Sequence, residues 1–541
     1  MTTMGRGRAR VWLLSLFLLA PAIGLYAAHV IHGGLDSGRS PTGFIQYDMI
    51  YYMANAREHF DSGTFKLTYG NPFSPHSQTP RIYFQPLTLV LALLHRLTRL
   101  DPGIVFMITG FFLGLFCVRS AIFVYDRLYG LDSLSKMLGL VCFVWGGGLM
   151  AVSGGLAGLF NGMGGEDLFR FDPFGGWWFL NLGRNLIYPT EALYHLLVFT
   201  VFLAALGKRW IAMLVLLAVL SVSHPFTGIQ FILIFFTWTF LERVYFRSGE
   251  IPCFAVFVSV LLLLAHVLYY LVFLPTFPEH ASIMDQWALS WLLRAPTLVL
   301  AYGGVLLLTL WRLRRPELAR NVLSRPENRL LLIWFLVSFV LANHEFAMDP
   351  VQPLHFTRGY LWIPLFLLGA PALIDGFQFL LDDRHLGRWR GVVALVILAV
   401  VLSDNGIWLA DHARKPTGMF FSSESEEVMS WLRQISGEKK DALLITNDPY
   451  VAYTGMAYTP LRSWYSHWAC TPFAEKKKAE VAAFFDRGLA HSLWRSRDLV
   501  VVFRVPEPGG GDGDFDPGAA FTELFCNASY RGYLKEAKRI E

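Results

Sequence analysis

Long, unbroken apolar stretches alternate with short polar connections along most of this chain, and the pattern changes only near residue 410. Runs such as Val11–Ile31 and Gly391–Leu409 can each cover a hydrocarbon core of about 30 Å, which takes roughly 20 helical residues. They do not alternate residue by residue as barrel strands do, and backbone in lipid must satisfy its own polar groups, so helices are expected. The pattern predicts spans near 11–31, 103–125, 137–159, 192–206, 210–222, 228–241, 254–274, 291–311, 330–342, 360–381 and 391–409, about eleven in all. Pro86–Leu97 is a further apolar piece, shorter than a usual span, and reads as a short or re-entrant element. Spans 210–222 and 228–241 are also short, with Ser223-His224-Pro225-Phe226 between them. Short, broken helices at membrane depth line a cavity rather than face lipid.

Beyond Leu409 the signals are those of a soluble fold. Val428, Trp431, Leu432 and Ile435 share one face of a helix over Glu424–Ile435. Asp441–Thr446 and Asp498–Arg504 read as buried strands with a helix, Ala474–Phe485, between them, and the Pro-Gly-Gly-Gly-Asp-Gly stretch at 508–513 reads as a loop. The expected fold class is an α-helical multipass membrane protein with a small C-terminal α/β soluble domain. Residues 1–414 form the transmembrane part, with a first external loop at 33–84, and residues 415–541 form the soluble domain.

Composition supports this and excludes a soluble enzyme. The 541 residues are 54% hydrophobic and 16% charged, against about 25% charged for soluble domains. The net charge of +5 gathers at helix ends, which makes it a topology signal and not a nucleic-acid footprint. Basic clusters at Arg6–Arg10, Lys208–Arg209, Arg243–Arg247, Arg312–Arg329 and Arg384–Arg390 go to the cytoplasm. The connections Gly33–Phe84, Asn161–Thr190, Pro275–Trp287 and Asn343–Arg358 then lie outside, as does the C-terminal domain, and a bacterial inner membrane is expected. The N-terminal apolar run exceeds the 7–15 residues of a cleaved signal and reads as an uncleaved first span. Of the five cysteines, only Cys470 and Cys526 sit in the polar tail, where they could pair if it is outside the cytoplasm.

Candidate chemistry concentrates in the external connections. Tyr47, Ile50, Tyr51 and Ala54 repeat at helical spacing, giving an amphipathic helix over Tyr47–Phe60 suited to the membrane surface. Asp48 at its start either satisfies free N–H groups of the helix or stands at the mouth of a membrane cavity to take a proton from a hydroxyl acceptor. Glu166, Asp167 and Asp172 are solvated loop acids or a second carboxylate, and Trp177, Trp178 and Phe179 form an interfacial belt or a stacking surface. Glu191 and His195 share a helix face. His224 sits in the helix break, either capping freed carbonyls or lining the cavity. A late loop gathers His344, Glu345, Asp349, His355 and Arg358. Arg358 is either a snorkelling residue or a fork for phosphate. No ligand spacing points to zinc. In the tail, Tyr465, His467 and Trp468 either pack or contact an acceptor, and Asn527-Ala528-Ser529 matches a glycosylation pattern.

An Asp in the loop after the first span, opening a Tyr-rich helix, resembles the GT-C glycosyltransferases, multipass enzymes that use polyprenyl-phosphate-linked sugars. Tyr83-Phe84-Gln85-Pro86 at the loop's end, Arg358-Gly359-Tyr360 at an external helix start and the closing α/β domain extend the resemblance. The paired acidic motif of many members is absent, since Glu58 and Asp61 lie a helix away from Asp48. The resemblance implies transfer of a hexose or pentose with inversion, with Asp48 as general base. It implies that Arg358, with His355 and Tyr360, holds the lipid phosphate. Glu191, His195, His224, Glu166, Asp167, Tyr51 and Tyr52 would complete the substrate surroundings. The implied partners are a polyprenyl-phosphate-linked sugar donor, membrane lipid and a lipid, glycan or protein acceptor. No cofactor is implied, and a divalent metal stays open. Two other readings stand beside it: a secondary transporter or lipid flippase, which the broken helix suits and the lack of repeats disfavours, and a polysaccharide polymerase or ligase, which usually carries a long late external loop.

Overall fold

The computed structural model describes residues 3–35, 38–60, 63–76, 79–161, 180–314, 316–382, 387, 389–415, 418–488, 491–506 and 515–537. It divides into two compact units. The first comprises Met1–Leu25, Gly110–Tyr270 and Ala288–Lys415, and the second comprises Tyr26–Thr109, Leu271–Trp287 and Pro416–Glu541. The first external loop therefore folds in the same unit as the C-terminal tail.

Among the described residues, eight helices are long and apolar enough to cross a membrane: Ala9–Leu35, Pro102–Tyr129, Pro189–Leu206, Pro225–Val244, Cys253–Thr276, Ala295–Leu313, Trp362–Asp382 and Trp389–Arg414. A ninth is the bent pair Leu134–Trp145 and Met150–Leu156 if it is counted as one span, and the remaining spans expected from the sequence are shorter helices. The span predicted over 137–159 is two helices, Leu134–Trp145 and Met150–Asn161, meeting at a bend of 73°. Those predicted at 210–222 and 330–342 are the shorter helices Trp210–Ser223 and Pro326–Ala342. Pro86–Thr98 is a 13-residue helix of the second unit, where it packs on Met49–Arg57.

A break frees backbone groups that lipid cannot solvate, and at Pro225, at Pro371 and at the 73° bend side chains meet them. Pro225 has no N–H for the carbonyl of Ser221, and Tyr270 Oη donates to that carbonyl at 3.1 Å. Pro371, inside Trp362–Asp382, likewise deprives Leu367, whose carbonyl accepts from Tyr129 Oη, while Arg312 serves the next carbonyl, Leu368, at 2.6 Å. At the 73° bend, Asn405 Nδ2 donates to the carbonyls of Trp145 and Gly146 at 2.6 and 3.1 Å. Asp404 Oδ1 accepts from Ala151 N at 2.7 Å, and Arg184 donates to the Asp404 carbonyl at 2.6 Å. An acid in the middle of a span is thus a splice for a broken one.

The second unit is built on mixed β-structure. Strand β1 (Arg39–Pro41) pairs antiparallel with β2 (Phe420–Ser422), tying the first loop to the start of the tail. The main sheet uses β3 (Leu443–Thr446), β4 (Arg462–Ser463), β5 (Leu499–Arg504), β6 (Thr522–Cys526) and β7 (Tyr530–Lys535) in the order β4-β3-β5-β7-β6. The β4-β3-β5 half is parallel, and β7 joins β5 antiparallel. Both predicted strands and both predicted tail helices are present, as Ser423–Glu438 and Ala474–Arg487. Helix Pro449–Tyr458 and the β6–β7 hairpin were not foreseen. β5 reads as a continuous apolar run because both its faces are covered. One face, with Leu499, Val501 and Phe503, meets Val481, Phe484 and Trp494.

Helix Met49–Arg57 departs from expectation in length and in setting. It is shorter than Tyr47–Phe60 and does not lie at a surface: Met49, Ile50, Met53, Ala54, Asn55 and Ala56 are all buried. Helices Pro86–Thr98 and Pro449–Tyr458 pack against it. A buried pair, Glu58 with Arg462 at 2.5 Å, follows its end. Cys470 is buried and Cys526 exposed, both as free thiols, so the possible disulfide is not formed.

The segment after β4 turns on His467. Its Nδ1 accepts from the backbone N–H of Ala469 at 3.0 Å and of Cys470 at 3.1 Å, which leaves the ring proton on Nε2. Burial lowers the His467 pKa to about 3. The folded state therefore binds fewer protons here than the unfolded chain between about pH 6.5 and 3, and stability is lost as pH falls through that window, by up to about 1.4 kcal/mol per unit. Thermal unfolding of the detergent-solubilised protein should show a lower Tm at pH 5 than at pH 7. In His467→Asn, whose side-chain carbonyl can still accept the amides, that difference should shrink.

Candidate functional site

Asp48 precedes the first turn of Met49–Arg57 but makes no side-chain bond to the helix amides. The capping role open to it in the sequence is not the one it plays. Its Oδ2 accepts from Gln46 Nε2 at 2.9 Å, Gln46 Oε1 accepts from the Asp48 N–H at 2.9 Å, and the carboxylate is exposed. Aromatic rings of the same unit gather beside it. Tyr47 lies 4.4 Å from Tyr453 and 5.1 Å from His467 between ring centres. Tyr51 stacks on Phe73 at 5.6 Å and meets Tyr52 edge-on at 5.2 Å. Burial raises the hydroxyl pKa values of Tyr47 and Tyr453 above the ordinary tyrosine value, and the charge of Asp48 is the next cause at Tyr453 and a smaller one at Tyr47. They remain proton donors next to a carboxylate. Tyr453 and Phe73 were passed over in the sequence because nothing in their local pattern separates them from core aromatics.

The first unit brings together five predicted residues around a sixth, Arg358. Glu191 and His195 lie one turn apart on Pro189–Leu206, and both face Arg358. Glu191 forms an ion pair with the Arg358 guanidinium. His195 Nε2 lies 2.8 Å from the Arg358 carbonyl, and its ring stacks on Tyr360 at 4.7 Å. Arg358 Nη2 donates to His355 Nδ1 at 2.5 Å, which leaves the His355 ring proton on Nε2. His355 is layered among rings: Trp291 at 5.8 Å, Phe226 at 4.8 Å and His224 at 5.8 Å. His224 does not cap freed carbonyls. Its Nδ1 accepts from Thr227 N at 3.1 Å, capping the start of Pro225–Val244, and its ring stacks on Tyr194 at 4.8 Å.

The backbone at the centre is unusual. Arg358 has φ 22° and Gly359 has φ 78°. A positive φ at a non-glycine residue is strained and persists only where its surroundings over-determine it. Here a histidine grips the carbonyl and two side chains grip the guanidinium. A methyl group at Gly359 would stand 3.3 Å from both His195 Nε2 and the carbonyl carbon of Asn181, closer than most real contacts.

Glu166, Asp167, Asp172, Trp177, Trp178 and Phe179 lie outside the described residues. Of the late-loop residues, His344 caps locally, accepting from Val351 N at 2.9 Å. Among the described residues no three His, Cys, Asp or Glu side chains are grouped to hold a metal ion. Trp291, Phe226 and the buried set Arg184, Asp404 and Asn405 were not singled out by the sequence. An acid within a span, such as Asp404, was a usable signal.

No family model matches the chain, and no curated protein sequence matches it. Its fold is similar to that of the Archaeoglobus fulgidus oligosaccharyltransferase with a tethered acceptor peptide, at TM-score 0.48 and 11% identity, over 90% of this chain and 69% of that one. It is similar to the same enzyme with an inhibitory peptide and a dolichol-phosphate, at TM-score 0.42 and 14% identity over 90% and 69%. It is also similar to ArnT from Cupriavidus metallidurans in the apo state, at TM-score 0.48 and 12% identity, over 97% of this chain and 98% of that one.

Proposed function

We propose that this protein is a membrane glycosyltransferase that moves a sugar from a polyprenyl-phosphate donor to the hydroxyl of an acceptor on the external side of the membrane. The observation that carries this reading is Asp48: an exposed carboxylate that is not spent on capping its helix and stands among tyrosines held neutral. In the reaction the acceptor oxygen attacks the anomeric carbon, Asp48 takes its proton, and the bond from that carbon to the phosphate oxygen breaks with inversion. The polyprenyl phosphate leaves with the electron pair. Arg358, oriented by His195 and His355, offers a fixed planar fork for the charge that grows on it. Trp291, Phe226 and His224 wall His355 with rings, a dry setting in which such a charge contact is strong.

Two outcomes are expected. Asp48→Asn keeps the side-chain size and removes the base, so transfer of labelled sugar in proteoliposomes should fall about 10²- to 10⁴-fold with Tm unchanged. Persisting transfer would show the mechanism to be wrong. Gly359→Ala should cost about 1–3 kcal/mol of stability and raise the donor KM, because the new methyl displaces the turn that places Arg358.

A further inference from the structure

Two buried Arg–Glu pairs stand out among the described residues of the first unit, and they are built differently. Arg329 grips Glu242 with both arms: Nε to Oε1 at 2.5 Å and Nη2 to Oε2 at 2.7 Å. Its Nη1 serves the carbonyls of Leu323 and Ser324 at 2.7 and 2.9 Å. That fork is saturated, as a structural pair should be.

Arg358 and Glu191 are as deeply buried, with side chains 7% and 5% exposed. Yet the contact uses one carboxylate oxygen, and Glu191 Oε2, also buried, accepts no hydrogen bond. A buried carboxylate oxygen without a donor is costly. An isolated buried guanidinium would cost more still, several kcal/mol. The pair is therefore needed for charge balance but poorly fitted as a final partner. A phosphate brings more oxygens to the same fork and to the His355 Nε2–H. It cannot join Glu191 there, because two anions on one guanidinium repel strongly where water is excluded.

We propose that Glu191 is a stand-in for the donor's phosphate: its carboxylate neutralises Arg358 while the site is empty and gives up the guanidinium when the lipid-linked phosphate arrives. Glu191 thereby sets how tightly the donor is held and keeps Arg358 preformed. This inference rests on the reading of Arg358 as the phosphate site.

The test is binding of farnesyl phosphate, with farnesol as the uncharged control, to the full-length protein in detergent. Glu191→Gln removes the competing charge at constant size and should bind farnesyl phosphate about tenfold more tightly than the parent, with farnesol unaffected. Glu191→Asp draws the carboxylate back by one methylene and should lie between the two. A purely structural Glu191 predicts the opposite order, so equal or weaker binding by both variants overturns the proposal. If the glutamine variant does not fold, the aspartate variant decides alone: tighter binding supports the stand-in, and equal or weaker binding overturns it. Arg358→Gln tests the underlying reading separately. Undiminished farnesyl phosphate binding there would remove the phosphate site itself, and stand-in and reading would fall together.

Discussion

A polypeptide in hydrocarbon must satisfy every backbone polar group from within, and the first unit is organised around the places where it fails to do so with helix alone. The bend at Gly146–Gly148, the proline breaks at 225 and 371 and the non-helical stretch before Trp362 all expose amides or carbonyls. Tyr270, Tyr129, Arg312, Asn405 and Asp404 answer them with hydrogen bonds of 3.1 Å or shorter. The same device builds the candidate site. His224 caps the helix that Pro225 restarts, and in doing so presents its ring to His355. His195 holds the carbonyl of a residue with positive φ and so fixes a turn that carries a cation.

Charge within that frame is economical. Charged side chains are expensive away from water, and the buried ones named above are paired or aimed at backbone. Arg184 and Asp404 serve a splice, Arg329 and Glu242 close on each other, and Arg358 with Glu191 is held by two histidines around a strained turn. The two ion pairs differ in how fully the carboxylate is engaged, and on the proposed reading this separates a fastening from a site. A bidentate pair has nothing left to offer a ligand, whereas a pair closed through one carboxylate oxygen can be exchanged for a better-fitting anion.

The second unit solves another problem: it gives an exposed acid a rigid setting. Asp48 follows a strand that pairs with the start of the tail and precedes a helix buried between two others. Tyr453 and His467, some 400 residues on, form part of the ring cluster around Tyr47. His467 is itself pinned by two backbone amides. The carboxylate can face outward because the helix it introduces does not need it as a cap.

Local pattern alone determined the apolar helices, the tail strands over 441–446 and 498–504, and Asp48, Glu191, His195, His355 and Arg358 as residues of interest, because hydrophobic period and an ionisable group beside a span are properties of neighbouring positions. It read one straight helix over 137–159, since a sliding apolar run does not register three consecutive glycines as a 73° bend. It placed helix Met49–Arg57 at a surface because its tyrosines looked interfacial, while its burial comes from helices roughly 40 and 400 residues away. Only tertiary structure decided that Arg358 is already paired, that His224 caps amides rather than carbonyls, and that Asp404 mends a helix. Each depends on which group lies within about 3 Å across the fold, a distance that no spacing along the chain encodes.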